Sequence, residues 1–216
     1  MIYVSIASYD GKLHHTTVGG LLDCMHYLTK HGAGMAVDVI PHDAFIGRAR
    51  DLSAKRFLAS GATDLVFIDA DVGFTVQDFA LLMKQDVDIC AGVYCFKKDE
   101  ADFPVVYEQP IDRVGPRVKL ISAPGGFLRI RRKVLTTIME AEPENQYYDN
   151  DHKAIYHFFP FGPKGGLWIG EDVGFCRSAK KHGFNIWGVE MPSLTHTGEK
   201  TWSFVWKPQG NELKAA

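Results

Sequence analysis

The stretch Leu65-Val66-Phe67-Ile68-Asp69-Ala70-Asp71-Val72-Gly73-Phe74 decides the fold. Its first four residues are apolar and read as a buried strand of a parallel sheet. The strand then runs into two carboxylates one residue apart. Side chains alternate along an extended chain, so Asp69 and Asp71 share a direction at the strand's C-terminal end. Two anions that close repel each other unless a cation lies between them. Ligands of open α/β sheets bind outside the carboxyl ends of the strands. An Asp-x-Asp there suits a divalent metal carrying a phosphate, because Mg²⁺ and Mn²⁺ favour carboxylate, water and phosphate oxygens. Two solvated, turn-forming aspartates are the plainer alternative.

Working outward from that strand, the N-terminal side supplies two βα units. Residues 2–7 read as a strand, with Ser8-Tyr9-Asp10-Gly11 as the loop at its C-terminal end. Thr16 or Thr17 can cap a helix with Val18, Leu21, Leu22, Met25 and Leu28 at helical spacing, ended by Gly32. Residues 35–40 form a second strand. Asp43 is a candidate cap for a helix over residues 44–60, stopped by Gly61. After the aspartates, Thr75-Val-Gln-Asp78 looks like a variant capping box, and residues 87–95 read as the next strand. The order βαβαβαβ argues for a parallel sheet with helices on both faces.

The C-terminal half is less regular. Residues 97–102 are a solvated charge run, and residues 105–107 and 118–122 look like short strands at a sheet edge. Gly125-Gly126 leads into Phe127-Leu128-Arg129-Ile130 and a helix over 132–141. Residues 143–166 carry six aromatic residues among Pro, Gly and Asn, and so long an unstructured stretch reads as a functional or mobile loop. A helix over 171–181, a strand over 184–189 and a loop holding His196 follow. No repeat or linker divides the chain, so one domain is expected.

Composition excludes some classes. The 216 residues are 46% apolar, enough for a core, and the formal net charge is −2, with no basic footprint of a nucleic-acid binder. No apolar run reaches the ~18 residues of a membrane span, and the N-terminus has no signal-peptide pattern. Cys24, Cys90, Cys95 and Cys176 form no C-x-x-C pair, which suits a reduced, cytoplasmic protein.

Several segments together resemble the GT-A fold of nucleotide-sugar glycosyltransferases, the family-2-like group in particular. Ala49-Arg50-Asp51 looks like that group's Ala-Arg-Asn element. Phe67-Ile68-Asp69-Ala70-Asp71 looks like its Asp-x-Asp (DxD) strand. The segment from Gly125-Gly126 to Arg132 resembles its Gly-Gly entry to the acceptor region. Gly170-Glu171-Asp172 resembles the Glu-Asp motif opening a late helix, and His196 sits where some members place a third metal ligand. The resemblance spans residues 2–198. Asp51 departs from the usual Asn, and no C-terminal acceptor domain or membrane segment is expected.

The resemblance implies a single Rossmann-like GT-A domain over 1–216, with a mostly parallel central sheet flanked by helices. Residues 1–96 would be the nucleotide-binding half and 97–216 the acceptor-binding half. It implies a Mn²⁺ or Mg²⁺ ion held by Asp71, by Asp69 directly or through water, and by His196. Ser8, Tyr9, Asp10, Asp43, Arg50, Asp69 and Ala70 would face a nucleotide-sugar donor, with UDP the default. Gly125, Gly126 and Trp168 would face the sugar or a hydroxyl acceptor. Asp172, with Glu171 beside it, would be the base of an inverting transfer. For Trp168, Trp187 and Trp202 core packing competes with sugar stacking, and for the aromatic loop 147–161 it competes with an acceptor lid. The rival functions are a haloacid-dehalogenase-type phosphohydrolase, a nucleotidyltransferase acting on a sugar phosphate, and a non-catalytic nucleotide- or sugar-binding module.

Overall fold

A computed structural model describes residues 1–208; the last part of the expected domain, 209–216, lies outside the described residues. β1 (Ile2–Ser8) leads through α1 (His15–Lys30) to β2 (Met35–Pro41), and α2 (Ile46–Ser60) leads to β3 (Asp64–Ile68). After β4 (Val72–Gly73), α3 (Val76–Lys84) leads to β5 (Ile89–Gly92). Next come β6 (Val106–Tyr107), β7 (Arg113–Val114), β8 (Arg117–Ser122), β9 (Phe127–Arg131) and α4 (Arg132–Ala141). Two hairpins follow, β10 (Gln146–Tyr148) with β11 (Ala154–Tyr156), and β12 (Gly162–Lys164) with β13 (Leu167–Ile169). The described chain closes with α5 (Glu171–Lys181), β14 (Ile186–Val189), β15 (Thr195–Thr197) and β16 (Thr201–Trp202).

Among the described residues the central sheet has nine strands, in the order β2-β1-β3-β9-β5-β14-β8-β6, with β7 also on β8. Only β8 and β9 run against the others, so seven of the nine strands point one way. The sheet is mostly parallel in direction, although its two reversed strands make several neighbouring pairs antiparallel. Strand β3 is buried on both faces, as its unbroken apolar run requires. Leu65 and Phe67 enter the core shared with α2, α4 and α5, while Val66 and Ile68 enter the core shared with α1 and α3. The result is a sheet covered by helices on both faces.

Local chemistry explains most boundaries. Thr75 and Asp78 form a reciprocal capping box, which starts α3 where the sequence signals it. Helix α1 differs from expectation. The His14 imidazole, not Thr16 or Thr17, accepts the first free backbone N–H, from Thr16. Thr17 instead donates its hydroxyl to the carbonyls of Ala70 and Val72, at 3.1 and 3.0 Å. That bond fixes the rotation of α1, so Thr17, Gly20, Leu21 and Cys24 are buried while Leu22 and Met25 stay exposed. Asp43 does not cap α2, whose N-cap is Phe45. Its carboxylate accepts the Phe45 N–H at 2.9 Å and pairs with Arg48.

The aromatic stretch corrects the expectation of a structureless loop. It folds as the two hairpins, and Ile155, Tyr156, Phe158 and Phe159 are buried in the core. Asp51, fully buried on α2, accepts from the backbone N–H groups of Phe158 and Phe159, from His157 Nδ1 and from Tyr147 Oη. Packing thus replaces the lid reading for residues 155–159. In the tail, Trp206 is buried and donates its indole N–H to Tyr107 Oη at 3.0 Å.

Candidate functional site

The C-terminal ends of β1, β2 and β3 share one edge of the sheet, because the three strands are mutually parallel. The loops leaving them enclose a cleft of about 650 Å³. Ser8, Tyr9, Asp10, Asp43, Asp69, Ala70, Asp71 and His196, all singled out from the sequence, line it together with Lys12 and His14. Helix α1 holds the aspartate loop in place, since the N–H of His14 and the hydroxyl of Thr17 both donate to the Ala70 carbonyl.

Behind the cleft floor lies a buried ionic network. Arg50 is only 2% exposed and donates to Asp69 Oδ1 at 3.0 Å and Glu171 Oε1 at 2.9 Å, with its guanidinium over the Phe67 ring. Burial opposes the charge on Arg50, but Asp69 and Glu171 beside it outweigh burial and raise its pKa. Burial raises the Glu171 carboxyl; Arg50 opposes this, and the neighbouring aspartates add to it. Tyr94 lies well above the usual tyrosine range, chiefly through burial, and donates to Asp69 Oδ2 at 3.2 Å. Both oxygens of Asp69 therefore accept hydrogen bonds from Arg50 and Tyr94.

This network also gives the glycine pair a reason. A Cβ at Gly125 would lie 2.0 Å from Arg50 Nη1, and one at Gly126 would lie 2.2 Å from Asp69 Oδ2 and 2.3 Å from Tyr94 Oη. On the Cβ side, the space these two glycines leave is filled by this buried network. Gly126→Ala is expected to push Asp69 and Tyr94 apart and cost about 1–3 kcal/mol, the usual cost of overpacking. For a chain of this length that is a fall of roughly 2–12 °C in melting temperature, measurable by calorimetry.

Asp71 faces a different set of groups. His196 lies in strand β15, not in a loop, and pairs with Val72 of β4. That register sets His196 Nε2 3.6 Å from Asp71 Oδ1, while Nδ1 contacts the Cys95 carbonyl at 2.9 Å. The carbonyl is an acceptor only, so Nδ1 donates to it and Nε2 is the nitrogen turned towards Asp71: a protonated Nε2 donates to the carboxylate, and a neutral one offers its lone pair to a cation. Lys97 Nζ lies 2.5 Å from the other carboxylate oxygen. Burial raises the Asp71 carboxyl, but His196 and Lys97 outweigh it and hold the group below the usual range.

These donors can hold a divalent ion. One carboxylate and one imidazole with its other nitrogen fixed by a backbone carbonyl suit Mn²⁺ in particular, with water or phosphate completing the shell. Among the described residues no group of three or more His, Cys, Asp or Glu side chains converges on one point, so water or a bound phosphate would supply the rest of such a shell. Asp69 is turned to Arg50 rather than to this pair.

The remaining candidates lie outside the cleft. Asp172 sits in the first turn of α5, where its Oδ1 accepts the Val173 N–H at 2.7 Å. Trp168 is 73% exposed on the β12–β13 hairpin, which removes core packing as its role. Trp187 lies under the Arg117 guanidinium, and Trp202 donates to Asp99. Tyr94 and Lys97 escape a reading of the sequence. Tyr94 lies inside an apolar run, and Lys97 is one charge among several in a run that reads as solvated.

No family model and no curated protein matches the chain. Among solved structures, the A197 protein from STIV superposes with a TM-score of 0.54 at 17% identity, over 91% of this chain and 86% of that one. The glycosyltransferase GalNAc-T7, crystallised with UDP, GalNAc and Mn²⁺, superposes with a TM-score of 0.52 at 12% identity, over 88% of this chain. The match spans 42% of the length of GalNAc-T7. The chain has a glycosyltransferase-like fold.

Proposed function

We propose that the chain is a metal-dependent glycosyltransferase of the GT-A, family-2-like kind. It moves a sugar from a nucleotide-diphosphate sugar, a UDP-sugar by default, to the hydroxyl of a carbohydrate or other acceptor. The observation that carries this reading is the meeting of Asp71, His196 Nε2 and the β1 and β2 loops in one cleft at the carboxyl edge of the sheet. In this reading residues 1–96 bind the nucleotide and residues 97–216 bind the acceptor, within a single domain. No helix among the described residues is long and apolar enough to cross a membrane, and four buried free thiols support a cytoplasmic setting.

Ser8, Tyr9 and Asp10 hold the base and ribose. Arg50, pinned by Glu171, holds Asp69 towards the cleft edge. A divalent ion on Asp71 and His196 supplies positive charge to the departing diphosphate. Asp172 takes the acceptor's proton as that oxygen attacks the anomeric carbon, which inverts its configuration. Trp168 offers an exposed ring to a sugar face. A phosphohydrolase would instead need Asp69 as a free nucleophile, and its hydrogen bonds to Arg50 and Tyr94 disfavour that role.

The test is calorimetric. UDP is expected to bind more tightly with Mn²⁺ than with EDTA, and Asp71→Ala to remove most of that difference. His196→Ala is expected to remove less, because Asp71 and the diphosphate remain as ligands. Equal UDP affinity with Mn²⁺ and with EDTA would count against the metal role.

A further inference from the structure

Lys97 has no part in the mechanism above, yet its ammonium lies 2.5 Å from Asp71 Oδ2, on the carboxylate that faces His196. Its position is held by the chain around it. A Cβ at Gly198 would fall 3.2 Å from Lys97 Cδ and 3.4 Å from Trp202 Cζ3, so the lysine stem and the indole close around bare backbone. Asp99, two residues on, accepts from Trp202 Nε1 at 3.0 Å and pairs with Lys200. The β15–β16 hairpin therefore carries His196 and also anchors the loop of Lys97.

An ammonium and a divalent ion seek the same charge on Asp71. In the metal-free protein Lys97 can neutralise that carboxylate. A metal held there repels the ammonium, which then needs another anion. The four-carbon lysine stem is flexible enough to turn its head group without moving the backbone. The anion brought to this point by a nucleotide donor is its diphosphate, and Lys binds phosphate well as a point charge. We propose that Lys97 is a displaceable counter-ion: it pairs with Asp71 until a divalent ion takes that place, and then passes to the diphosphate of the bound nucleotide. The inference rests on the donor site proposed above.

The experiment is isothermal titration of the wild type, Lys97→Met and Lys98→Met, first with Mn²⁺ alone and then with UDP at saturating Mn²⁺. Methionine keeps most of the stem and removes the charge. Wild-type protein that takes up neither Mn²⁺ nor UDP would overturn the donor site and this proposal together. Where the wild type binds both, Lys97→Met is expected to bind Mn²⁺ roughly tenfold more tightly and UDP roughly tenfold more weakly, the scale of one charge-assisted contact. The opposite signs separate displacement from a loss of folded protein, and Lys98→Met, which removes a neighbouring ammonium, separates it from a general loss of charge. If either affinity stays put, or both move the same way, Lys97 is not such a counter-ion and the donor site still stands. The same pair of shifts in Lys98→Met would overturn the proposal too, since that ammonium pairs with Asp102 in the same loop.

Discussion

The Asp172→Asn variant is expected to transfer sugar roughly 10²–10⁴-fold more slowly than the wild type, the range lost with a general base. Asparagine keeps the shape of the side chain and cannot take the proton. The position suits a carboxylate, because the N-terminus of α5 favours negative charge in its first turn. Of the two adjacent acids, Glu171 is committed to Arg50 at 2.9 Å, whereas Asp172 spends one oxygen on the Val173 N–H. UDP affinity should change little, since Asp172 is not among the residues lining the nucleotide cleft. Initial rates with a UDP-sugar, set beside UDP titrations, separate the two effects. A folded variant with near wild-type rate would remove Asp172 as the base. Product of retained anomeric configuration would do the same and would turn attention to the donor phosphate as proton acceptor. A loss of UDP affinity matching the loss of rate would assign Asp172 to the donor site instead.

What the sequence makes legible is what local rules govern. Strand β3 is readable because its alternating residues are buried on both faces. Helix α3 is readable because Thr75 and Asp78 cap it through bonds three residues apart. The cleft follows from parallel strands whose C-terminal loops must meet. Long-range pairing escapes such rules. Nothing near His196 signals that it will lie in a strand against Val72, and only that pairing brings it to Asp71. Nothing in residues 117–131 says where β8 and β9 enter the sheet or that they run backwards. Helix α1 misleads because its rotation is set by Thr17 on the Ala70 and Val72 carbonyls and by Gly20, where a Cβ would lie 2.6 Å from the Phe74 carbonyl oxygen. Hydrophobicity alone would turn Leu22 and Met25 inward. Lys97 reads as solvated because its partner lies 26 residues away along the chain.

Asp51 is where the largest loss of stability is expected. Its buried carboxylate accepts from Phe158 N at 2.8 Å, His157 Nδ1 at 2.9 Å, Phe159 N at 3.0 Å and Tyr147 Oη at 3.2 Å, tying α2 to the segment after β11. Asp51→Leu fills the volume but leaves two backbone N–H groups without an acceptor. Each such group costs about 1–3 kcal/mol, and the His157 imidazole loses its partner as well, although its half-exposed ring regains water. These costs overlap. A total of about 3–5 kcal/mol is a fall of roughly 6–20 °C in melting temperature for a chain of this length. Asp51→Asn, the residue carried at this point by the family the sequence resembles, keeps one oxygen for both N–H groups and should cost about 1 kcal/mol. The two variants should differ from each other in stability and from the wild type in pH response. The Asp51 hydrogen bond is the main cause of a raised His157 pKa, and burial is the main cause of a raised Asp51 pKa. A group whose pKa is higher folded than unfolded adds stability below its unfolded value and loses it as pH rises through the folded one. Both groups therefore act in the same direction. The wild type should lose melting temperature as pH rises from the ordinary histidine value of about 6.5 through the higher folded value of His157, and Asp51→Asn should lose less. The chain holds nine histidines, so the difference between the two melting curves, measured across pH by calorimetry, isolates this pair. Parallel curves would show that the Asp51–His157 contact does not couple protons to folding.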